Sequence, residues 1–115
     1  MAIPSGSGSE ILKRVQSNGN SNTQVNILTV DTLHIVTVLS IVICNIPATN
    51  HTFDILVSPG GSGACFLMPT TSISGASSFV WNDRLVMTAA DILKISSTST
   101  DFELYVSYID QNWEN

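Results

Sequence analysis

The feature that most constrains this chain is its punctuation. Short runs rich in Val, Ile, Leu and Thr are cut at regular intervals by Gly, Pro, Asn, Asp and Ser. "EILKRVQ" (10–16) is followed by the turn-rich "SNGNSN" (17–22), then by "TQVNILTV" (23–30), which alternates through Val25 and Ile27. "DT" (31–32) precedes the long run "LHIVTVLSIVICN" (33–45), and "IPATNH" (46–51) breaks it because Pro47 cannot donate to a ladder. "TFDILVSP" (52–59) puts Phe53, Ile55 and Val57 on one face and Thr52, Asp54, Leu56 and Ser58 on the other. After the glycine stretch come a short strand, "ACFLM" (64–68), and a loop, "PTTSISGAS" (69–77). "SFVWNDRLVMT" (78–88) reads as one bent strand or two short ones. "ILKIS" (92–96) and "FELYVSYID" (102–110) close the series.

Strands recurring about every eight to twelve residues, with no amphipathic helix between them, predict an all-β chain. The expected architecture is a single antiparallel β-sandwich, jelly-roll-like, of about eight short strands over residues 10–115. The Gly, Ser and Pro-rich residues 1–9, "MAIPSGSGS", read as a flexible N-terminal arm. Helix is conceivable only over 83–94, where Val, Ile and Thr weaken it.

The run 33–45 is apolar on both faces. Leu33, Ile35, Leu39, Ile41 and Ile43 alternate with His34, Val36, Val38, Ser40, Val42 and Cys44. A half-solvated strand would alternate with polar residues. Either this strand is central in a two-sheet fold and covered on both sides, or one face lies in a subunit interface. The composition favours the interface: 43% of residues are hydrophobic and 11% charged, where a soluble domain carries about a quarter. Phe53, Phe66, Phe79 and Phe102 read as core. Trp81, Tyr105, Tyr108 and Trp113 could instead form an exposed aromatic patch, as protein interfaces and sugar-binding sandwiches do. The candidate interface set is therefore Ile3, Pro4, His34, Val36, Val38, Val42, Trp81, Tyr105, Tyr108 and Trp113.

The net charge of −5, nine acids against four bases, argues against a nucleic-acid partner. The apolar run 35–44 is half the length of a membrane helix, and the N-terminus lacks the charged and apolar regions of a signal peptide. A soluble chain made in a cytoplasm is expected, with Cys44 and Cys65 as buried free thiols.

The glycine stretch "SPGGSGACF" (58–66) invites two chemical readings. A phosphate loop needs Lys and then Ser or Thr after the last glycine, and here Ala64 and Cys65 follow. A nucleophile elbow would place Ser62 between a strand and a helix, and nothing after residue 64 is helical. His34 or His51 as base and Asp31 or Asp54 as orienter would lack any framework to unite them. Cys44, His51 and Cys65 lack zinc spacing, and Asp83, Asp91, Asp101 and Asp110 fall at turns, where Asp bonds local backbone. No catalytic residue, cofactor or metal is predicted. The glycines read as a loop between two strands that needs positive φ.

The segments "TVLSIVICN", "TFDILVSPGGSG", "FVWNDRLVMTAADILKISSTS" and "FELYVSYID" together resemble a group of small tailed-bacteriophage virion proteins. The shared pattern is a strand ending in Asn, an alternating strand running into Pro-Gly-Gly, a Gly-Asp or Ala-Asp turn before "I-x-K/R-I", and a closing alternating strand. It spans about residues 23–110. This chain has Ala90 where the usual residue is Gly, and it ends in "DQNWEN". The resemblance implies a β-sandwich that decorates heads or sits in necks, tails, baseplates or fibres. It implies a non-enzymatic head decoration or cement subunit first, with the major capsid protein as partner, and a tail or neck component second. It implies a virion location and a homo-oligomer, with a trimer favoured as a closed ring. A carbohydrate-binding module is the alternative of another class.

Overall fold

The structure, a computed structural model, describes residues 9–19, 24–99 and 101–113. They form two packed antiparallel sheets. The first is built from β1 (Ser9–Gly19), β9 (Phe102–Asn112), β3 (His34–Asn45), β6 (Ser77–Trp81) and β7 (Leu85–Thr88), in the order β1-β9-β3, with β6 and β7 sharing the far edge of β3. The second has the order β2-β8-β4-β5, from β2 (Val25–Thr29), β8 (Ile92–Ser97), β4 (His51–Ser58) and β5 (Cys65–Ile73). This is the expected jelly-roll-like sandwich, with nine strands. The run 78–88 resolves into two short strands, and residues 83–94 contain no helix.

The core lies between the sheets. Val36, Val38, Ile41, Ile43, Leu104 and Val106 from the first meet Phe53, Ile55, Leu93 and Ile95 from the second, all buried. Phe53 and Phe102 meet edge to face, their ring centroids 5.3 Å apart at 88°, the geometry that sets a ring's positive edge on a negative face. Of the other phenylalanines expected in the core, Phe79 packs partly against it and Phe66 is exposed on β5.

β3 corrects the alternation expected for it. Its buried positions are Val36 and Val38, then Ile41, Ile43 and Asn45. The register against β9 runs Val38↔Tyr108 and then Ser40↔Ser107, so Leu39 is an extra residue in a β-bulge. A bulge of one residue exchanges the two faces of everything beyond it. Both expected "faces" therefore contribute to one core, which accounts for apolar residues at odd and even positions alike. β3 is also central, flanked by β9 on one side and by β6 and β7 on the other.

β5 extends past its expected end at Met68 through Pro69 to Ile73. This is possible because β5 is an edge strand, where a proline without an N–H forfeits no ladder bond on the open side. Thr70 follows at φ 39°, and its backbone N–H and hydroxyl both donate to Asp54 Oδ1. Cys65, expected buried, is exposed at the start of β5, and Cys44 is half-buried on β3; both are free thiols.

The turns carry the specific polar contacts. Asn45, wholly buried at the end of β3, donates its amide to the carbonyls of Thr49 (3.0 Å), Ile73 (3.1 Å) and Ser74 (3.2 Å). Gly75 sits against the same loop so closely that a Cβ would fall 2.2 Å from the carbonyl carbon and oxygen of Ala48. Asp91 accepts from the backbone N–H of Thr88 (2.9 Å) and of Gly60 (2.9 Å), tying the β7–β8 turn to the glycine loop. Ala90 beside it adopts φ 70°.

Candidate functional site: an outer sheet face and an open edge

Of the side chains considered for catalysis, His34, His51 and Asp54 are committed to holding strands and turns. His34 Nδ1 lies 2.8 Å from Asp110 Oδ1, and Lys13 Nζ donates to Asp110 Oδ2 at 3.0 Å. Burial of Asp110 pushes its pKa up and is the largest single influence, but the hydrogen bonds with His34 and Lys13 outweigh it, so the carboxyl is held below 3.8. The Lys13 ammonium is raised above 10.5, first by its hydrogen bond to Asp110. His51 bonds Thr49 and Thr98 through its two ring nitrogens. Asp54 accepts from Ser96 (3.1 Å) as well as from Thr70.

The glycine loop is what its sequence suggests. Pro59–Gly61 is a single 3-10 turn, Gly60, Gly61 and Gly63 take positive φ, and Ser58 Oγ donates to Gly63 O at 2.8 Å. Ser62 is exposed, with its backbone N–H donating to Pro59 O. It begins no helix, so no elbow lifts its hydroxyl. A polar groove of about 270 Å³ lies along Gln24, Thr52, Asp54, Ser96, Ser97 and Thr98. Its one carboxylate, Asp54, already accepts from Thr70 on Oδ1 and from Ser96 on Oδ2. Among the described residues no group of three or more His, Cys, Asp or Glu side chains is placed to hold a metal ion, and no helix is long and apolar enough to cross a membrane.

The interface residues singled out from sequence scatter. Val36, Val38 and Tyr108 face the sandwich interior, at 1%, 0% and 8% exposure, and are corrected to core positions. The Leu39 bulge is the reason for the first two. Tyr108 faces inward with Val106 and Leu104 in the strict alternation of β9. Trp81 is half-buried, opposite Ile41, and packs on the core. His34 and Trp113 lie at one end of the sandwich, where Trp113 N–H donates to Leu33 O at 2.8 Å. Val42 and Tyr105 pair across strands on the outer face of the first sheet. Ile3 and Pro4 lie outside the described residues. Tyr105 and Tyr108 occupy opposite faces of β9, so the four late aromatics form no common platform for a sugar ring.

A different surface emerges from the registers. On the outer face of the first sheet, Leu12, Ile109, Thr37 and Val86 form one row across β1, β9, β3 and β7. Gln16, Tyr105, Val42 and Val80 form another. Leu12, Val80 and Val86 are all more than half exposed. The row of Glu10, Gln111, Ile35 and Thr88 adds one charge at its β1 end. The sequence carried a hint of this face: the adjacent pair Ile11-Leu12 must put one apolar side chain outside whichever way the strand lies.

The same sheet ends in an open edge. Among the described residues β1 pairs with β9 alone. The other edges are blunted: β2 is short and bulged, β5 contains Pro69 and two register shifts, and β6 and β7 are short and separate. Such interruptions discourage edge-to-edge pairing. β1 has none of them.

No family model matches the chain, and no curated protein matches it by sequence. Among solved structures it is similar to a protein of Bacillus endospore appendages, described as a novel family of disulfide-linked pili. That likeness has a TM-score of 0.58 at 14% identity and covers 100% of this chain and 97% of the other. A chain in the structure of infectious bursal disease virus, Gx strain, gives a TM-score of 0.58 at 6% identity, covering 100% of this chain and 38% of that one. Identities this low define the fold alone. The class is thus a β-sandwich also found in a pilus protein and in a virus structure.

Proposed function

We propose that the chain is a non-enzymatic structural subunit of a bacteriophage virion, a head decoration or cement protein that binds across subunit boundaries of the capsid. The observation that carries this reading is the outer face of the first sheet, which exposes Leu12, Val80 and Val86 and is continuous with an edge left open among the described residues. A monomer has no use for such a face, whereas a lattice subunit buries it. The phage-like sequence pattern supports the virion, with the major capsid protein as first partner and a tail or neck protein as second. The chain is then made in the host cytoplasm and ends in the particle. Self-association belongs to the reading, with a closed ring, a trimer first, as the expectation from sequence, and the mass of the isolated chain tests it.

Mass spectrometry of purified virions, followed by reconstruction, is the decisive experiment. The expected result is density for this sandwich on the capsid exterior, and heads lacking it that open at lower temperature. Absence of the chain from virions would remove the proposal, and its recovery only with detached tails would move it to the tail. A second reading, a filament subunit, is favoured by the end-to-end likeness to the endospore-appendage protein. Fibres formed by the purified chain alone would support it.

A further inference from the structure

We infer that β1 is a homotypic docking strand, pairing antiparallel with β1 of a second copy about a two-fold axis at Leu12. It rests on the assembly reading above only in that copies of the chain must meet.

The first argument is exposure of the edge. Lysine and arginine usually guard an open strand by projecting charge across it. Here both are drawn back over their own sheet. Lys13 is bonded to Asp110 on the neighbouring strand at 3.0 Å, and Arg14 donates to Tyr105 Oη at 3.1 Å with its guanidinium 5.7 Å from the ring centroid. Glu10 is likewise held, accepting from Gln111 Nε2 at 3.0 Å. What protrudes is Leu12, 72% exposed, and Ile11, 50% exposed.

The second argument is self-complementarity in one register. With Leu12 opposite Leu12 of the second copy, Glu10 lies opposite Arg14 twice, once on each side of the axis. Glu10, Leu12 and Arg14 all sit on the outer face, because their partners Gln111, Ile109 and Ser107 do. Directly opposed residues share a face, and an opposite-charge pair there stabilises. Arg14 keeps unused donors for this contact, since its fork has five and Tyr105 takes one. Moving the axis to Lys13 would set ammonium against ammonium. Moving it to Ile11 would set Glu10 against Leu12. Placing it between residues would oppose outward to inward side chains and leave the charges facing apolar groups.

Pairing in this register joins two five-stranded sheets edge to edge. The apolar row Val86–Thr37–Ile109–Leu12 then continues through the axis into its symmetry mate, giving one uninterrupted outer band. A two-fold contact of this kind closes on itself, so it yields a discrete pair.

The test uses the full chain in solution. Sedimentation from micromolar to millimolar concentration should show twice the 12.3 kDa of one chain, and Leu12→Lys should leave a monomer with the parent's far-ultraviolet spectrum. Glu10→Arg or Arg14→Glu alone should weaken dimerisation about tenfold, because each change is felt at two symmetric contacts, and the double reversal should restore it. In a Cys65→Ser background, Leu12→Cys should form an intermolecular disulfide on mild oxidation far faster than Val86→Cys, whose site is 63% exposed against 72% at Leu12. This holds even if Leu12→Lys fails to fold. A monomer at all concentrations, a trimer insensitive to Leu12→Lys, or equal cross-linking at 12 and 86 would overturn the inference. None of these results decides whether the chain is present in virions, so the two proposals fail separately.

Discussion

Replacing Asn45 tests whether a single buried amide holds the loop end of the sandwich. Its Nδ2 donates to three backbone carbonyls across two loops, and its Oδ1 has no partner among the described residues. Two amide protons shared among three acceptors make each bond imperfect, yet removal takes a donor from each of the three carbonyls. The Ile73 carbonyl is in buried surroundings, where water does not replace the amide; that of Thr49 is part-buried and can recruit water, and that of Ser74 keeps the Ser77 hydroxyl at 2.6 Å. Losses at one buried and one part-buried carbonyl come to about 2–3 kcal/mol for Asn45→Ala. For a domain this size that is a fall of roughly 10 °C in melting temperature. Asn45→Asp should be worse by at least about 1 kcal/mol, since a carboxylate offers no donor and sets charge against carbonyl oxygens. Urea titrations of the three proteins, with unchanged slopes, supply the comparison. A loss under about 1 kcal/mol for Ala, or an Asp variant as stable as the Ala one, would refute this account of the staple.

Gly75→Ala should destabilise by about 3 kcal/mol or more, because its new methyl would fall within the carbonyl of Ala48, and thermal melts will show it. Ala90→Gly should do the reverse. Relief of a left-handed alanine at φ 70° exceeds the added freedom of the unfolded chain, for a gain of about 0.5–1 kcal/mol by urea titration. Asp110 has a folded pKa below its ordinary 3.8, so its contribution is complete above that value and lost as pH falls through the lower one. Asp110→Asn should therefore reduce stability at neutral pH and flatten its decline under acid, as urea titrations at about pH 7 and about pH 3 would show.

The alternation of residues 102–108 was legible because β9 buries one face without interruption, through Phe102, Leu104, Val106 and Tyr108; in β4 Phe53, Ile55 and Val57 face the core as expected, but Leu56 on the other face is buried as well. Turn chemistry was legible at Asp91 and at the glycine loop for the same local reason. The candidate surface was not. A one-residue bulge leaves no mark in composition, so Val36 and Val38 read as interface when they are core. Whether an apolar residue such as Val86 or Leu12 faces out depends on cross-strand partners far away in sequence. Nor does sequence show that Lys13 and Arg14 turn away from the edge they would be expected to guard, since Asp110 and Tyr105, which hold them, lie more than ninety residues away. The Ala90 departure from the phage-like pattern became interpretable only with its φ: the turn retains the glycine conformation without the glycine.

The bulge at Leu39 works like a frameshift within β3. Upstream, even-numbered positions supply the core; downstream, odd ones do. It falls where β3 changes partners from β7, which ends its pairing at Val38, to β6, which begins at Ile41. Deleting Leu39 would restore one parity throughout, with Val38↔Tyr108 followed directly by Ser40↔Ser107 and every flanking pair with β9 intact. Removing Ser40 would do the same, with Leu39 taking its place opposite Ser107, whereas removing Thr37 would turn Val38 outward and Leu39 inward. β3 therefore contains one adjacent pair, Leu39 and Ser40, where shortening by a residue corrects the reading frame, flanked by positions where it turns core side chains outward.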